Sequence, residues 1–149
     1  MATWSEFAAA DPDLAAWGEK RLERERVAYV ATLNEDGSPC VNPVHPVICQ
    51  GRLLLFIAPD LPKARNLRRD GRYAMHSLVH DLSGTGGEFH LNGRATLIAD
   101  ETVRQRAIES ACYTPNGQTI LFELGVDRAY STAYEDDHVT RHEWRANGK

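Results

Sequence analysis

Phe56-Ile57-Ala58-Pro59-Asp60-Leu61-Pro62-Lys63-Ala64-Arg65-Asn66 is the stretch on which the reading of the chain turns. An apolar, β-rich run is halted by two prolines, and an Ala-, Arg- and Leu-rich run begins at once. The segment is therefore a strand, a tight turn and a helix start. The first turn of a helix leaves backbone N–H groups without partners, and these carry partial positive charge. Lys63 and Arg65 fall there, at the unfavourable end of the helix dipole, at a cost of ~0.3–1 kcal/mol each. A bound phosphate reverses that sign, because free amides and both cations attract it together. Asp60 offers a competing account: as an N-cap it would neutralise part of the field with no ligand. Lys63 is the first candidate for an anion site, with Arg65 and Asn66 beside it.

The charge of the whole chain sharpens this. The 149 residues hold 17 Lys and Arg against 21 Asp and Glu, a net charge of −4, which argues against a general nucleic-acid binder. Residues 63–72 contain five cations and one anion, leaving twelve cations against twenty anions elsewhere, a net −8. An acidic chain thus carries one compact basic island. Its composition, 42% hydrophobic and 26% charged, is that of a globular domain. No apolar run approaches the ~18–20 residues that span a bilayer, and residues 1–6 lack the basic and apolar parts of a secretory signal. Cys40, Cys49 and Cys112 are odd in number with no C-x-x-C pair, so neither a disulfide framework nor a zinc ribbon is encoded. The expectation is one cytoplasmic domain over residues 1–149, with no membrane or nucleic-acid partner and no metal.

Outward from the central stretch, Asp11-Pro12 reads as an N-cap and first helical residue, opening a helix over 12–25. Residues 27–33 form a short strand, mostly apolar on both faces, as in a barrel covered by helices. Asn34-Glu35-Asp36-Gly37 is a turn. Residues 38–48 hold three prolines and belong at an edge or barrel rim; residues 52–58 form another buried strand. Strands follow at 72–79 and 88–98, the latter with Glu88, His90 and Asn92 on one face, and Asp100 caps a helix. Two strands at 119–124 and 127–134, and another at 139–145, complete the chain. The fold class is mainly β (α+β): a six- to seven-stranded barrel with about three peripheral helices. His76-x-x-x-His80 and His138-x-x-x-His142 have zinc-like spacing only on a helix, and neither pair falls on one.

This order of elements, with Lys63-Ala64-Arg65-Asn66-Leu67-Arg68-Arg69-Asp70 after the third strand and Asn92-Gly93-Arg94-Ala95 in the later one, resembles the pyridoxamine 5′-phosphate oxidase-like, FMN-binding split-barrel superfamily, deazaflavin-dependent relatives included. The resemblance covers about residues 14–134. It implies a split β-barrel that forms a homodimer, with two cofactor sites between subunits and a small-molecule substrate. It places Lys63 at the cofactor phosphate with Arg65 and Asn66 as neighbours. Asn42, Pro43 and Val44 then line the ring, Phe56 and Ile57 border the phosphate and ribityl chain, and Glu88 or His90 touches the ring. Pro62 stands where a basic residue often precedes the lysine. The C-terminal paired-arginine signature of the true oxidases is missing from residues 138–145, which argues against vitamin B6 oxidation.

The implied function is an FMN-binding oxidoreductase transferring hydride to or from a small organic molecule. The alternatives are a reductase using the deazaflavin coenzyme F-420 and a non-enzymatic flavin- or haem-binding protein. Such a coenzyme carries the redox chemistry, and the protein supplies binding and orientation, so no catalytic triad is required. His45, flanked by Pro43 and Pro46, is the candidate proton donor; a rim histidine bonded to a carbonyl is the other account of it.

Overall fold

The computed structural model describes residues 1–147. The elements are α1 (Trp4–Ala10), α2 (Pro12–Glu25), β1 (Ala28–Leu33), β2 (Pro39–Val44), β3 (Val47–Cys49), β4 (Arg52–Ile57), α3 (Pro62–Arg69), β5 (Arg72–Ser77), β6 (Glu88–Ile98), α4 (Glu101–Ser110), β7 (Ile120–Glu135) and β8 (His138–Arg145). This is the expected mainly β, split-barrel architecture, with eight strands and four helices among the described residues where six or seven and three were expected.

Each difference has a local cause. α1 is fixed by a capping box: the Thr3 hydroxyl accepts from the Glu6 N–H at 3.2 Å, and the Glu6 carboxylate accepts from the Thr3 N–H at 2.7 Å. Its Trp4 and Phe7 are buried. The proline-rich run is two strands rather than one, broken at His45 and Pro46, where Pro46 has no N–H to give to a ladder. Gly125 is no turn but lies inside the 16-residue β7. A Cβ on Gly93 would lie 1.9 Å from the Gly125 carbonyl oxygen, and the ladder shifts register between Asn92 and Gly93. The two glycines let backbones approach at a bulge. The Tyr73 hydroxyl donates to that same Gly125 carbonyl at 3.0 Å.

The antiparallel sheet runs β2-β1-β5-β6-β7-β4-β3, with β8 paired to β7. Its two outermost strands, β2 and β3, are consecutive in the chain and joined only by His45 and Pro46. The sheet is therefore rolled up, with an unpaired seam between those strands. Val30, Leu53, Leu55, Met75, Phe89 and Leu91 fill the interior. α2 sits flush on β6, since a Cβ on Gly18 would lie 2.4 Å from the Phe89 ring. α4 covers the outside of β3 and β4 through Ala107, Val103, Leu54 and Val47. No helix of the described residues is long and apolar enough to cross a membrane.

Candidate functional site

The seam holds the start of the cationic helix. Pro62 takes the first helical position, where its missing N–H costs nothing, so the cap falls on Leu61 rather than Asp60. Leu61 is extended and makes no side-chain cap, and the first turn contains no acidic residue. The competing account through Asp60 thus does not operate: its carboxylate caps nothing. Lys63 is half-buried, and its Nζ donates to the Pro43 carbonyl across the seam at 3.1 Å. Burial lowers its pKa, and Cys40 nearby pulls the other way. An ammonium group has three donors, and here it meets a neutral carbonyl and, among the described residues, no carboxylate within ion-pair reach. Arg65 is exposed, and its guanidinium makes no hydrogen bond or ion pair among the described residues.

Asn66, one turn on, is buried at 4% exposure. Its Nδ2 donates to Thr32 Oγ1 at 3.0 Å and to Asn34 Oδ1 at 3.1 Å, while its Oδ1 accepts from Arg69 Nη2 at 3.2 Å. Arg69 also donates to the Leu33 carbonyl. This network ties α3 to the end of β1, and all of it escaped sequence reasoning. The Thr32-x-Asn34 pair at a strand end was its one visible trace.

The strands beside the seam offer mostly backbone. Ile57 is in the barrel core, and Phe56 packs under α4, with the Arg104 guanidinium 5.3 Å from its ring centroid. Val44 faces inward; Asn42 is half-buried and accepts from the Cys40 thiol at 3.4 Å; Pro43 is exposed. His45 Nδ1 lies 2.6 Å from the Arg26 carbonyl. A carbonyl can only accept, so Nδ1 is the donor of this bond. The ring leans on Tyr113, centroids 5.2 Å apart.

Glu88 and His90 lie elsewhere, on the outer face of the sheet. Pro43, Tyr29, His76, His90 and Tyr130 form one register row across β2, β1, β5, β6 and β7. At ~4.8 Å per strand, three spacings put His90 roughly 14 Å from Pro43. His90 rests edge-on against Tyr130 at 4.2 Å and near His76 at 5.6 Å. Burial lowers its pKa, with His76 adding to the effect and Glu88 opposing it. The Glu88 carboxylate accepts from Tyr134 Oη at 2.6 Å and lies 3.6 Å from His76 Nε2. His76, Tyr130 and Tyr134 were not foreseen as members of this cluster, although outward alternation along the strands carries the signal. Beside it, Tyr29, Ala31, Val41, Ala74, His76 and His90 line a largely apolar groove of about 360 Å³. The remaining zinc-spaced histidines part company: His80 pairs with Glu25 at 2.8 Å and His142 with Asp11 at 2.6 Å.

The fold recurs in solved structures. Protein Rv2991 of Mycobacterium tuberculosis is 20% identical, with a TM-score of 0.69 over 78% of this chain and 82% of that one. PhzG of Burkholderia lata, solved with tetrahydrophenazine-1-carboxylic acid, is 13% identical, with a TM-score of 0.66 over 97% and 88%. A haem-binding protein of Mycobacterium smegmatis is 18% identical, with a TM-score of 0.64 over 85% of this chain but only 57% of its own. No curated protein matches the chain. The family model for pyridoxamine 5′-phosphate oxidase matches residues 18–133, more than half of the sequence and every strand from β1 to β6. The chain belongs to the pyridoxamine 5′-phosphate oxidase family.

Proposed function

We propose that this protein is a coenzyme-dependent oxidoreductase that holds the phosphate of FMN at the start of α3. The observation that carries the reading is the uncapped helix start at Leu61 with the half-buried Lys63 beside it and no carboxylate in the first turn. Such an arrangement is unfavourable empty and favourable around a dianion. The first-turn amides and Lys63 would hold the phosphate, with Arg65 adding charge from the solvent side. Asn66 contributes indirectly, by fixing α3 against β1. The exposed edge of β2 at Asn42 and Pro43 would border the ring. Bound there, FMN would supply hydride transfer to or from a small organic substrate. His45, held through Nδ1 by the Arg26 carbonyl, would stand at the seam as the candidate proton donor.

Glu88 and His90 stand too far from Lys63 to close a compact site within one copy. Their face is open, with Tyr29 and Val41 43% and 62% exposed. A second copy laid against this face brings its own Glu88 and His90 towards the first copy's seam, so the reading includes a homodimer with two shared sites. A stable monomer in sedimentation with coenzyme bound would contradict that part.

The deazaflavin coenzyme F-420 presents a phosphate to the same helix start and is the alternative ligand. Haem storage is the second reading, favoured by His90, whose depressed pKa keeps the imidazole in its neutral, ligating form. Titration of the wild type and Lys63→Ala with FMN, F-420 and haem separates these. For the phosphate-bearing coenzyme, Lys63→Ala is expected to lose ~1.5–3 kcal/mol, about 10- to 150-fold in affinity. Equal affinities would remove Lys63 from the site. Haem binding that depends on His90 and ignores Lys63 would move the function to storage.

A further inference from the structure

At the opposite end of α3 a polar notch of about 550 Å³ opens between the β1–β2 turn, the helix end, the start of β5 and the middle of β6. Arg69, Arg72 and Arg94 converge on it from three elements, with Asp70 and Glu35 in the same lining. Arg72 and Arg94 stand directly opposite each other in the β5–β6 register, where like charges repel. Asp70 answers only one of them. Its carboxylate accepts from Arg72 Nε at 3.0 Å and from Nη2 at 2.6 Å. Those bonds hold its pKa down to about 2, with a smaller pull from Arg94. Arg94 itself makes neither a hydrogen bond nor an ion pair among the described residues. Among the described residues Arg69 donates to neutral oxygens alone, those of Leu33 and Asn66. Two guanidinium groups thus face one notch without a carboxylate in hydrogen-bond or ion-pair contact among the described residues, Arg94 feeling Asp70 only at longer range.

From this geometry we infer that the notch is a second anion site, taking one carboxylate or phosphate group of a small molecule between Arg94 and Arg69. It is independent of the coenzyme reading, since Lys63 lies at the other end of the helix. A planar guanidinium fork matches either oxyanion with two parallel bonds. The site is weak by construction, because Glu35 and the C-terminal pole of α3 oppose an anion; a dissociation constant of about 1 mM is the expected scale. Occupancy would relieve the Arg72–Arg94 repulsion across the strands.

The test uses the full chain, labelled with ¹⁵N, at low salt. Succinate is titrated in one arm and inorganic phosphate in the other, following the amides of Gly37, Gly71 and Arg94. Saturable shifts at these amides are expected in at least one arm, and the tighter arm names the source of the anion. Arg94→Gln is expected to weaken that binding at least fivefold. Arg94→Lys is expected to fall between the two, since it keeps the charge and loses the fork. Lys63→Ala is expected to leave these shifts unchanged, so failure here and failure of the coenzyme reading appear on different residues. Shifts that stay linear in both arms, that persist unchanged in Arg94→Gln or that vanish in Lys63→Ala would overturn the inference.

Discussion

Lys63 and Asn66 are neighbours on one short helix, one turn apart, and their surroundings are opposites. Asn66 is buried with three partners that use both donors and its acceptor. Lys63 is half-exposed, with one neutral partner and a pKa depressed by burial. A polar side chain whose bonding is complete inside the chain is part of the scaffold. One whose charge is left unanswered is available to a ligand. The family resemblance assigns both to the same site, and their hydrogen bonding differs.

The largest expected effect tests the scaffold half of this contrast. Asn66→Ala removes the donor to the buried Thr32 hydroxyl and to Asn34 Oδ1 and opens a gap beneath α3, and it should cost about 2–4 kcal/mol in urea unfolding. A loss below about 1 kcal/mol would mean that the network is replaced by water. Lys63→Ala should behave inversely, shifting unfolding by less than about 0.5 kcal/mol while removing most coenzyme affinity. Leu61→Asp sharpens the point. An acceptor at the vacant cap should stabilise the fold by about 0.5–1 kcal/mol, yet set a negative charge against the bound phosphate and weaken coenzyme binding. Stabilisation without weaker binding would show that the ligand lies elsewhere.

The smallest effect concerns His90. Its pKa in the folded chain lies below the unfolded value, through burial first and His76 second. The unfolded chain therefore takes up the proton first as pH falls. The stability attached to neutral His90 is complete above about pH 6.5 and declines as pH drops through that value towards the lowered one. Partial exposure keeps the change below about 0.5 kcal/mol. His90→Gln should flatten this part of the stability–pH curve, and an unaltered curve would place the titration on another group.

Much of the scaffold was legible because it obeys local rules. The mostly apolar run of β1, the alternation of β6 and the Asp100 cap of α4 each announce their element. What escaped depends on partners far along the chain. Gly125 reads as a break until Gly93 is seen pressing against its carbonyl across the bulge. Asn66 resembles any polar residue on a cationic helix until Thr32 and Asn34 arrive from β1. α1 is the exception: Thr3-x-x-Glu6 is a local signal, passed over because the helix is only seven residues long. At the site, the cationic helix start was visible in the sequence, whereas the placing of Phe56 under α4 and the joining of His76 to His90 needed the sheet.

The short link between β2 and β3 bears on how large a guest the barrel admits. From Val44 to Val47 the chain has three virtual bonds, a reach of about 11 Å when stretched, little more than two strand widths. At that corner the slit is clamped like the hinge of a clothes-peg, while its far end has no such tether. Any widening of the slit must fan open away from His45.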